Sequence, residues 1–332
     1  MPPQSNVESN RNLLTVAVDD NMAYALCVAL ASLQKSSKEP FGVVVGFLRG
    51  ALSAQNRKIL SDVADVLGIN LDFHELLFDQ RFITQGHISP TTFTKFLLSD
   101  FYEQAHLWID ADTAGLSGWD QLFEAVAVAT SEAGLVVAER GDPGEKLRNG
   151  KLNPSDLPFN AGVLGWPRGS RRDWSNALND TAAVETQEQY LLNVLYADTA
   201  LRVSEKFNTM SYRIDVLRST EALHIIHYAG AHKPWHLPRR FARLCSDHGC
   251  PWSIWFAAER YLTETAGLGS LQRELAAAAR AAQKSGGARW QRDNSGLLLL
   301  RLLGFLGPLG WLLAVMAKPL KKWIPRGTHP FH

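Results

Sequence analysis

"HLWIDADT", His106 to Thr113, is the stretch on which the reading of this chain turns. Leu107, Trp108 and Ile109 are consecutive apolar residues of the kind that fill a buried strand, and Asp110 and Asp112 follow with one alanine between them. In extended backbone, residues i and i+2 point to the same face, so both carboxylates converge where the strand ends. Converging carboxylates repel unless a cation lies between them, which makes the pair a candidate divalent-cation site. A strand end closed by an aspartate turn is the simpler reading of the same residues.

Outward from this strand the chain alternates. "NLLTVAVDD" predicts a first strand over Leu13 to Val18 that ends in Asp19 and Asp20, and Leu26, Leu30 and Leu33 mark a helix from about Ala23 to Gln34. "PFGVVVGFL" predicts a second buried strand, followed by helical periodicity from Ser53 to Leu67. "INLDFHEL" is a third strand, Pro90 to Phe101 a third helix and "HLWID" a fourth strand. "LVVAE" and "FNAGVLGW" read as further strands, Glu188 to Tyr196 as a helix, and "ALHIIHY" as strand-like. Strands alternating with helices predict an α/β fold with a mostly parallel sheet flanked by helices on both faces. Such sheets bind ligands beyond the carboxyl ends of their strands, where Asp19, Asp20, Asp110 and Asp112 all fall.

Composition narrows the function classes. With 332 residues, 46% apolar and 20% charged, and a formal net charge of +1, the chain is an ordinary globular protein with nothing that selects nucleic acid as a partner. Cys27, Cys245 and Cys250 are too few for a disulfide framework and point to a reducing compartment; a zinc site around Cys245, Asp247, His248 and Cys250 lacks a second ligand pair. The polar N-terminus, "MPPQSNVESNRN", has no apolar core of a secretory signal. The polar loop "RGDPGEKLRNGKLNPSD" reads equally as an active-site flap or a surface loop. From about Trp252 the chain turns helical and rich in Ala, Leu and Arg, which divides it into residues 1–255 and a helical extension, 256–332.

That extension ends in an apolar run, Gly296 to Ala317, interrupted by Arg301 and Pro308. Lys318, Lys321, Lys322 and Arg326 follow it, with Trp311 and Trp323 suited to headgroup depth. This pattern suits a segment lying on an anionic membrane surface rather than crossing it; a pair of apolar helices docked on the catalytic domain is the competing reading.

The second informative stretch is "HIIHYAGAHKPWH", His224 to His236. His227 closes a strand, Gly230 lets backbone approach a ligand, and Lys233 supplies a point charge suited to phosphate. A lone histidine there is ordinarily a packed one, but with Asp110 and Asp112 it completes a donor set for an octahedral cation.

Taken in order, "VAVDDN", "FTKFLLSDFY" with "LWIDADT", "FNAGVLGW", "EQYLLN" and "IIHYAGAHKPWH" resemble the motifs of the retaining glycosyltransferases of family 8, over roughly Leu13 to His236. The resemblance implies a GT-A fold and transfer of a hexose, galactose or glucose, from a UDP-sugar to a glycan or lipid-linked oligosaccharide acceptor. The apolar tail hints at a bacterial cell-surface glycan such as a lipopolysaccharide core, made at the cytoplasmic face of the inner membrane. It also implies that Asp110, Asp112 and His227 bind Mn2+, with Mg2+ as the other candidate, and that Gly230 and Lys233 hold the diphosphate. Ala17, Asp19 and Asn21 fall where the family grips uridine. Lys95, Asn160 and Ala161 fall beside the donor, with Glu188 and Gln189 as the catalytic candidates on the opposite face of the sugar.

The chain departs from the family at several of these places. Met22 stands where an aromatic residue usually stacks on the base, Lys95 where an arginine is common, and Glu188 and Tyr190 where the family carries aspartates. Front-face transfer and a route through a carboxylate nucleophile both remain open. Two other functions share these residues: a nucleotidyltransferase, in which "HYAGAHKPW" has no role, and a non-catalytic sugar-nucleotide-binding or membrane-associated scaffold, for which the altered "EQY" speaks.

Overall fold

Trp108 sits in the middle of the molecule because its strand does. The computed structural model describes residues 12–82, 89–129, 134–139, 158–180, 188–196, 198–211, 214, 223–230, 233–237 and 252–293. The polar loop at 140–157, the cysteines at 245 and 250 and the apolar run at 296–317 lie outside the described residues.

The first half follows the alternation read from the sequence. β1 (Leu13–Ala17), α1 (Ala23–Ser36), β2 (Gly42–Leu48), α2 (Ala54–Leu67) and β3 (Asn70–Leu76) succeed one another, and β4 (His106–Ile109) comes after α3 (Thr94–Phe101), with α4 (Gln121–Val128) and α5 (Trp174–Asp180) further along the chain. The predicted helix at Pro90 splits, with a 3-10 turn at Pro90–Phe93 that Ser89 caps before α3 begins. α2 shows why its sequence is helical: Ser53 caps its first turn, Ile59, Leu60, Val63 and Leu67 bury one face, and Gly68 ends it in the left-handed conformation at φ 67°.

The main sheet has seven strands in the order β3-β2-β1-β4-β7-β6-β8, where β6 is Val136–Ala138, β7 Val163–Trp166 and β8 Leu201–Val203. All its pairings are parallel except those of β7, which runs antiparallel to β4 and β6. The mainly parallel, helix-flanked sheet agrees with the α/β expectation. A buried hydroxyl bond, Thr15 Oγ1 to the Leu107 carbonyl at 2.9 Å, ties β1 to β4 at its centre.

Side chains alternate between two cores. Leu14, Val16, Leu107 and Ile109 pack on the face covered by α1 and α2; Leu13, Trp108 and Leu164 pack on the other with Phe93, Phe96 and Leu191. Two C-terminal helices, α7 (Ser253–Thr265) and α8 (Ser270–Asp293), join the first core through Trp255, Phe256, Leu262, Leu271 and Leu275. α1 is therefore buried on nearly every side from Ala23 to Leu33, and its Tyr24 hydroxyl donates to Glu259 of α7. Burial pushes the Cys27 thiol on α1 up to about 12.

A second, three-stranded sheet sits at the carboxyl end of β4: β5 (Thr113–Gly115), β10 (Ile225–His227) and β9 (Thr209–Met210), in the order β5-β10-β9. Its register places His227 opposite both Thr113 and Met210.

Candidate active site

The turn after β4 is held from three directions. Asp110 N donates to the Gly162 carbonyl at 2.7 Å, Thr113 Oγ1 to the Asp110 carbonyl at 2.9 Å, and Tyr228 N to the Asp112 carbonyl at 2.8 Å. The turn before β7 and the end of β10 thus close around Asp110 and Asp112. Asp110, Asp112 and His227 each offer one ligand atom within a cluster whose members lie within 4.8 Å of one another. His227 Nε2 is 3.3 Å from Asp112 Oδ1 and 3.9 Å from Asp110 Oδ2. Two carboxylate oxygens and an imidazole nitrogen suit a divalent cation of the Mn2+ type; the nitrogen weighs against an all-oxygen Mg2+ site.

Neighbouring cations treat the two acids differently. Burial alone would raise Asp112, but the Lys233 ammonium and the His227 ring outweigh it and hold that carboxyl well below the usual carboxylate range. Lys233 Nζ donates to Asp112 Oδ2 and, at 2.9 Å, to the Tyr228 carbonyl. Asp110 is pushed up by burial, against the lowering effect of Lys95. Its Oδ1 accepts from the Trp108 indole at 2.7 Å, a bond within one strand face that the i, i+2 spacing makes possible.

Lys95 on α3 is completely buried. Its Nζ lies 3.0 Å from Glu188 Oε1, 3.8 Å from Asp110 Oδ1, 3.1 Å from the Ala161 carbonyl and 5.0 Å from the centre of the Trp108 ring. Burial would lower its ammonium, yet Glu188 and Asp110 outweigh that and raise it. The lysine is thus a fixed positive charge beneath both carboxylates.

"FNAGVLGW" does not extend as one strand; only Val163–Trp166 pairs in the ladder. Side chains take the backbone groups before it instead. Asn193 Oδ1 accepts from Phe159 N at 2.8 Å, and its amide donates back to the Phe159 carbonyl at 2.9 Å. Gln189 Oε1 accepts from Ala161 N at 3.2 Å, and Asn160 Oδ1 from Gly162 N at 2.9 Å. α6 (Glu188–Tyr196) supplies Glu188, Gln189 and Asn193 from its first two turns. Gly162 has no room for a side chain: a Cβ there would lie 2.1 Å from His227 Cε1, so the glycine is what lets the imidazole lie against this segment.

The structure thus gathers Lys95, Asp110, Asp112, Asn160, Ala161, Glu188, Gln189, His227 and Lys233 into one neighbourhood. Ala17 ends β1, beside β4. Asp19 spends its carboxylate on the turn into α1, accepting from Asn21 N and Met22 N, and Asn21 is exposed. Gly230 is exposed with φ 98°. None of these four residues makes a hydrogen bond to the acidic cluster among the contacts just described. Two neighbours of the cluster carried no signal in the sequence: Trp108, which reads there as core, and Asn208, which sits in a featureless "FNTMS" and contacts His227 Nδ1 at 3.0 Å.

The family model for glycosyl transferase family 8 matches residues 13–237. Among solved structures, the galactosyltransferase LgtC in complex with donor and acceptor sugar analogues is similar at a TM-score of 0.57 and 23% identity, over 78% of this chain and 96% of that one. The bifunctional glycosyltransferase WbbM is similar at 0.56 and 14%, over 81% of this chain and 52% of that one. The glycosyltransferase GlyE of Streptococcus pneumoniae is similar at 0.52 and 18%, over 82% of this chain and 64% of that one. At such identities the likeness is one of fold. No curated protein sequence matches the chain.

Proposed function

The chain belongs to glycosyl transferase family 8, and from that membership we propose that it is a divalent-cation-dependent, retaining hexosyltransferase. Its donor on this reading is UDP-galactose or UDP-glucose, and its acceptor a glycan or lipid-linked oligosaccharide of a bacterial cell surface. The observation that carries the reading is the meeting of Asp110, Asp112 and His227 within 4.8 Å of one another, beside Glu188 and Gln189.

Breaking a glycosyl phosphate bond develops negative charge on the departing diphosphate. A cation held by Asp110, Asp112 and His227, Mn2+ before Mg2+, would stabilise that charge. Lys233 adds a positive charge at the same place, and the backbone at Gly230, open and without a Cβ, suits close approach of phosphate oxygens. Ala17, Asp19 and Asn21 are the groups for uridine at the carboxyl end of β1. Asn160 and Ala161 would lie beside the sugar.

On the far side of the sugar, Glu188 is the candidate to face an oxocarbenium-like centre, held in place by Lys95 at 3.0 Å. Gln189 Oε1 already accepts from Ala161 N and from Asn160 Nδ2, the latter at 2.9 Å, so its NH2 group is what remains to donate. An amide oxygen committed to two donors is a poor nucleophile, so on this reading Gln189 positions the donor sugar rather than attacking it.

The catalytic machinery lies within residues 1–255 on this reading, and the extension, 256–332, brings the enzyme to the anionic inner face of the cytoplasmic membrane. Its basic and apolar tail supports that assignment, and among the described residues no helix is long and apolar enough to cross a membrane.

The test is a donor panel of UDP-galactose, UDP-glucose, UDP-galacturonate and the UDP-N-acetylhexosamines, with Mn2+, with Mg2+ and with chelator. We expect slow donor hydrolysis for one UDP-hexose that requires the cation. A panel in which no UDP-sugar turns over, or in which chelator changes nothing, defeats the proposal.

A further inference from the structure

A run of side-chain amides connects the catalytic candidates to the metal candidates, and its polarity is set by backbone groups. A side-chain amide has one end that donates and one that accepts, and its partners decide which way it lies. A backbone N–H, however, can only donate. Ala161 N therefore fixes the oxygen of Gln189 toward itself, at 3.2 Å, and Gly162 N fixes the oxygen of Asn160 toward itself, at 2.9 Å. Asn160 Nδ2 is then the end that donates to Gln189 Oε1 at 2.9 Å.

Asn160 Oδ1 also meets Asn208 at 3.0 Å, and an oxygen there demands the NH2 end of Asn208. The same amide reaches the Asn160 carbonyl at 3.4 Å, a second acceptor that requires the same orientation. The oxygen of Asn208 is left facing His227 Nδ1 at 3.0 Å. An oxygen facing a ring nitrogen is satisfied only if that nitrogen carries a hydrogen. Two peptide N–H groups thereby dictate, through three side chains, which imidazole nitrogen bears the proton.

On this basis we infer that Asn208 is a positioning residue that fixes His227 with its proton on Nδ1 and so turns Nε2 to face Asp110 and Asp112 as the ligand atom. The inference rests on the cation-dependent reading of the site given above. A second observation independently places the ring: it lies against the Gly162 backbone, where a Cβ would fall 2.5 Å from His227 Nδ1. Asn208 itself is buried and bonds through both ends of its amide, so it has no freedom to turn over. Outer groups of this kind orient ligating histidines, and their loss ordinarily costs about 10–100-fold in metal affinity.

The experiment uses the full chain and two readouts besides turnover. Selective 15N labelling of histidine, with His227→Gln to assign the resonance, reads the protonation of Nδ1 directly in the wild-type protein without added metal. Mn2+ alone, titrated by calorimetry, reads affinity in the wild type, Asn208→Leu and Asn208→Asp. A protonated Nδ1 is expected, with Mn2+ affinity falling about 10–100-fold in Asn208→Leu. Asn208→Asp should recover only part of it, because a carboxylate restores the acceptor facing Nδ1 but loses the donor to Asn160. A bare Nδ1 in the wild type overturns the inference whether or not either variant folds, as does unchanged Mn2+ affinity in Asn208→Leu. A wild-type protein with protonated Nδ1 that binds no Mn2+ removes the metal reading and leaves the role of Asn208 standing.

Discussion

At its carboxyl end β4 runs into Asp110, partly exposed, and Asp112, buried, which lie among Lys95, Lys233 and His227; at its amino end it carries His106, buried, with no opposite charge beside it among the described residues. His106 is 2% exposed, contacts the Gln104 carbonyl through Nδ1 at 2.9 Å and stacks on Trp166 at 6.1 Å. Burial pushes its imidazole down to about 4, so it is neutral at ordinary pH. Desolvation disfavours charge at both ends of the strand. What differs is the supply of partners: one end keeps its charges because lysines were built in beneath them, and the other gives its charge up. The site is therefore a mutually dependent set of ions, whereas the opposite end is a packing arrangement.

Removing a built-in partner should break the contrast most severely. Lys95→Met leaves the buried Glu188, and Asp110 next to it, without their cation and is expected to cost about 3–5 kcal/mol, read from the urea unfolding midpoint. Adding Glu188→Leu should recover part of that loss, since a buried pair can be replaced by apolar residues at little cost. An unchanged midpoint in Lys95→Met would show that the acids need no lysine.

The His106 end predicts a pH effect of known sign. Its folded pKa of about 4 lies below the ordinary 6.5, so the unfolded chain takes up a proton that the folded chain refuses. The stability it allows is complete above 6.5 and declines as pH falls, reaching a loss of about 3 kcal/mol near pH 4 and no more below it. Subtracting the profile of His106→Phe from that of the wild type should isolate this component. If the two profiles run parallel, the imidazole is not held neutral.

Trp108 spans the two regimes, with its ring in the core and its N–H on Asp110. Trp108→Phe should cost about 1 kcal/mol through that bond, given that the Asp110 side chain is 27% exposed. A double-mutant cycle with Asp110→Ala checks it, and strictly additive losses would mean the indole gives the carboxylate nothing. Outside the contrast altogether, the Arg49–Glu75 pair has side chains 69% and 43% exposed, and Arg49→Ala should leave the unfolding midpoint where it was.

How much of this was legible beforehand follows from the same physics. β1, β2 and β4 announce themselves because strands buried on both faces are continuous apolar runs, and α2 because its buried residues recur at helical spacing. β5, β8 and β9 are two or three residues long, too short for any periodicity, and the reversed direction of β7 leaves no mark on its composition. "FNAG" reads as strand because nothing local reveals that Gln189, Asn193 and Asn160 will take its backbone groups. Asp110 and Asp112 could be paired from spacing alone. The place of Lys95 beneath them, and of Asn208 behind His227, depends on elements that meet only in three dimensions.

The strand order also has a consequence in time. Synthesis delivers β1, β2, β3 and β4 as one continuous stretch, residues 13–109, so the parallel half of the sheet can pair before the rest of the chain exists. Asp110 and Asp112 follow at once, with Lys95 already made, while Gly162, Asn208, His227 and Lys233 are still to be translated. A nascent chain thus carries its acid pair with one internal counterion first, and acquires the imidazole that completes the cluster only when β10 is made.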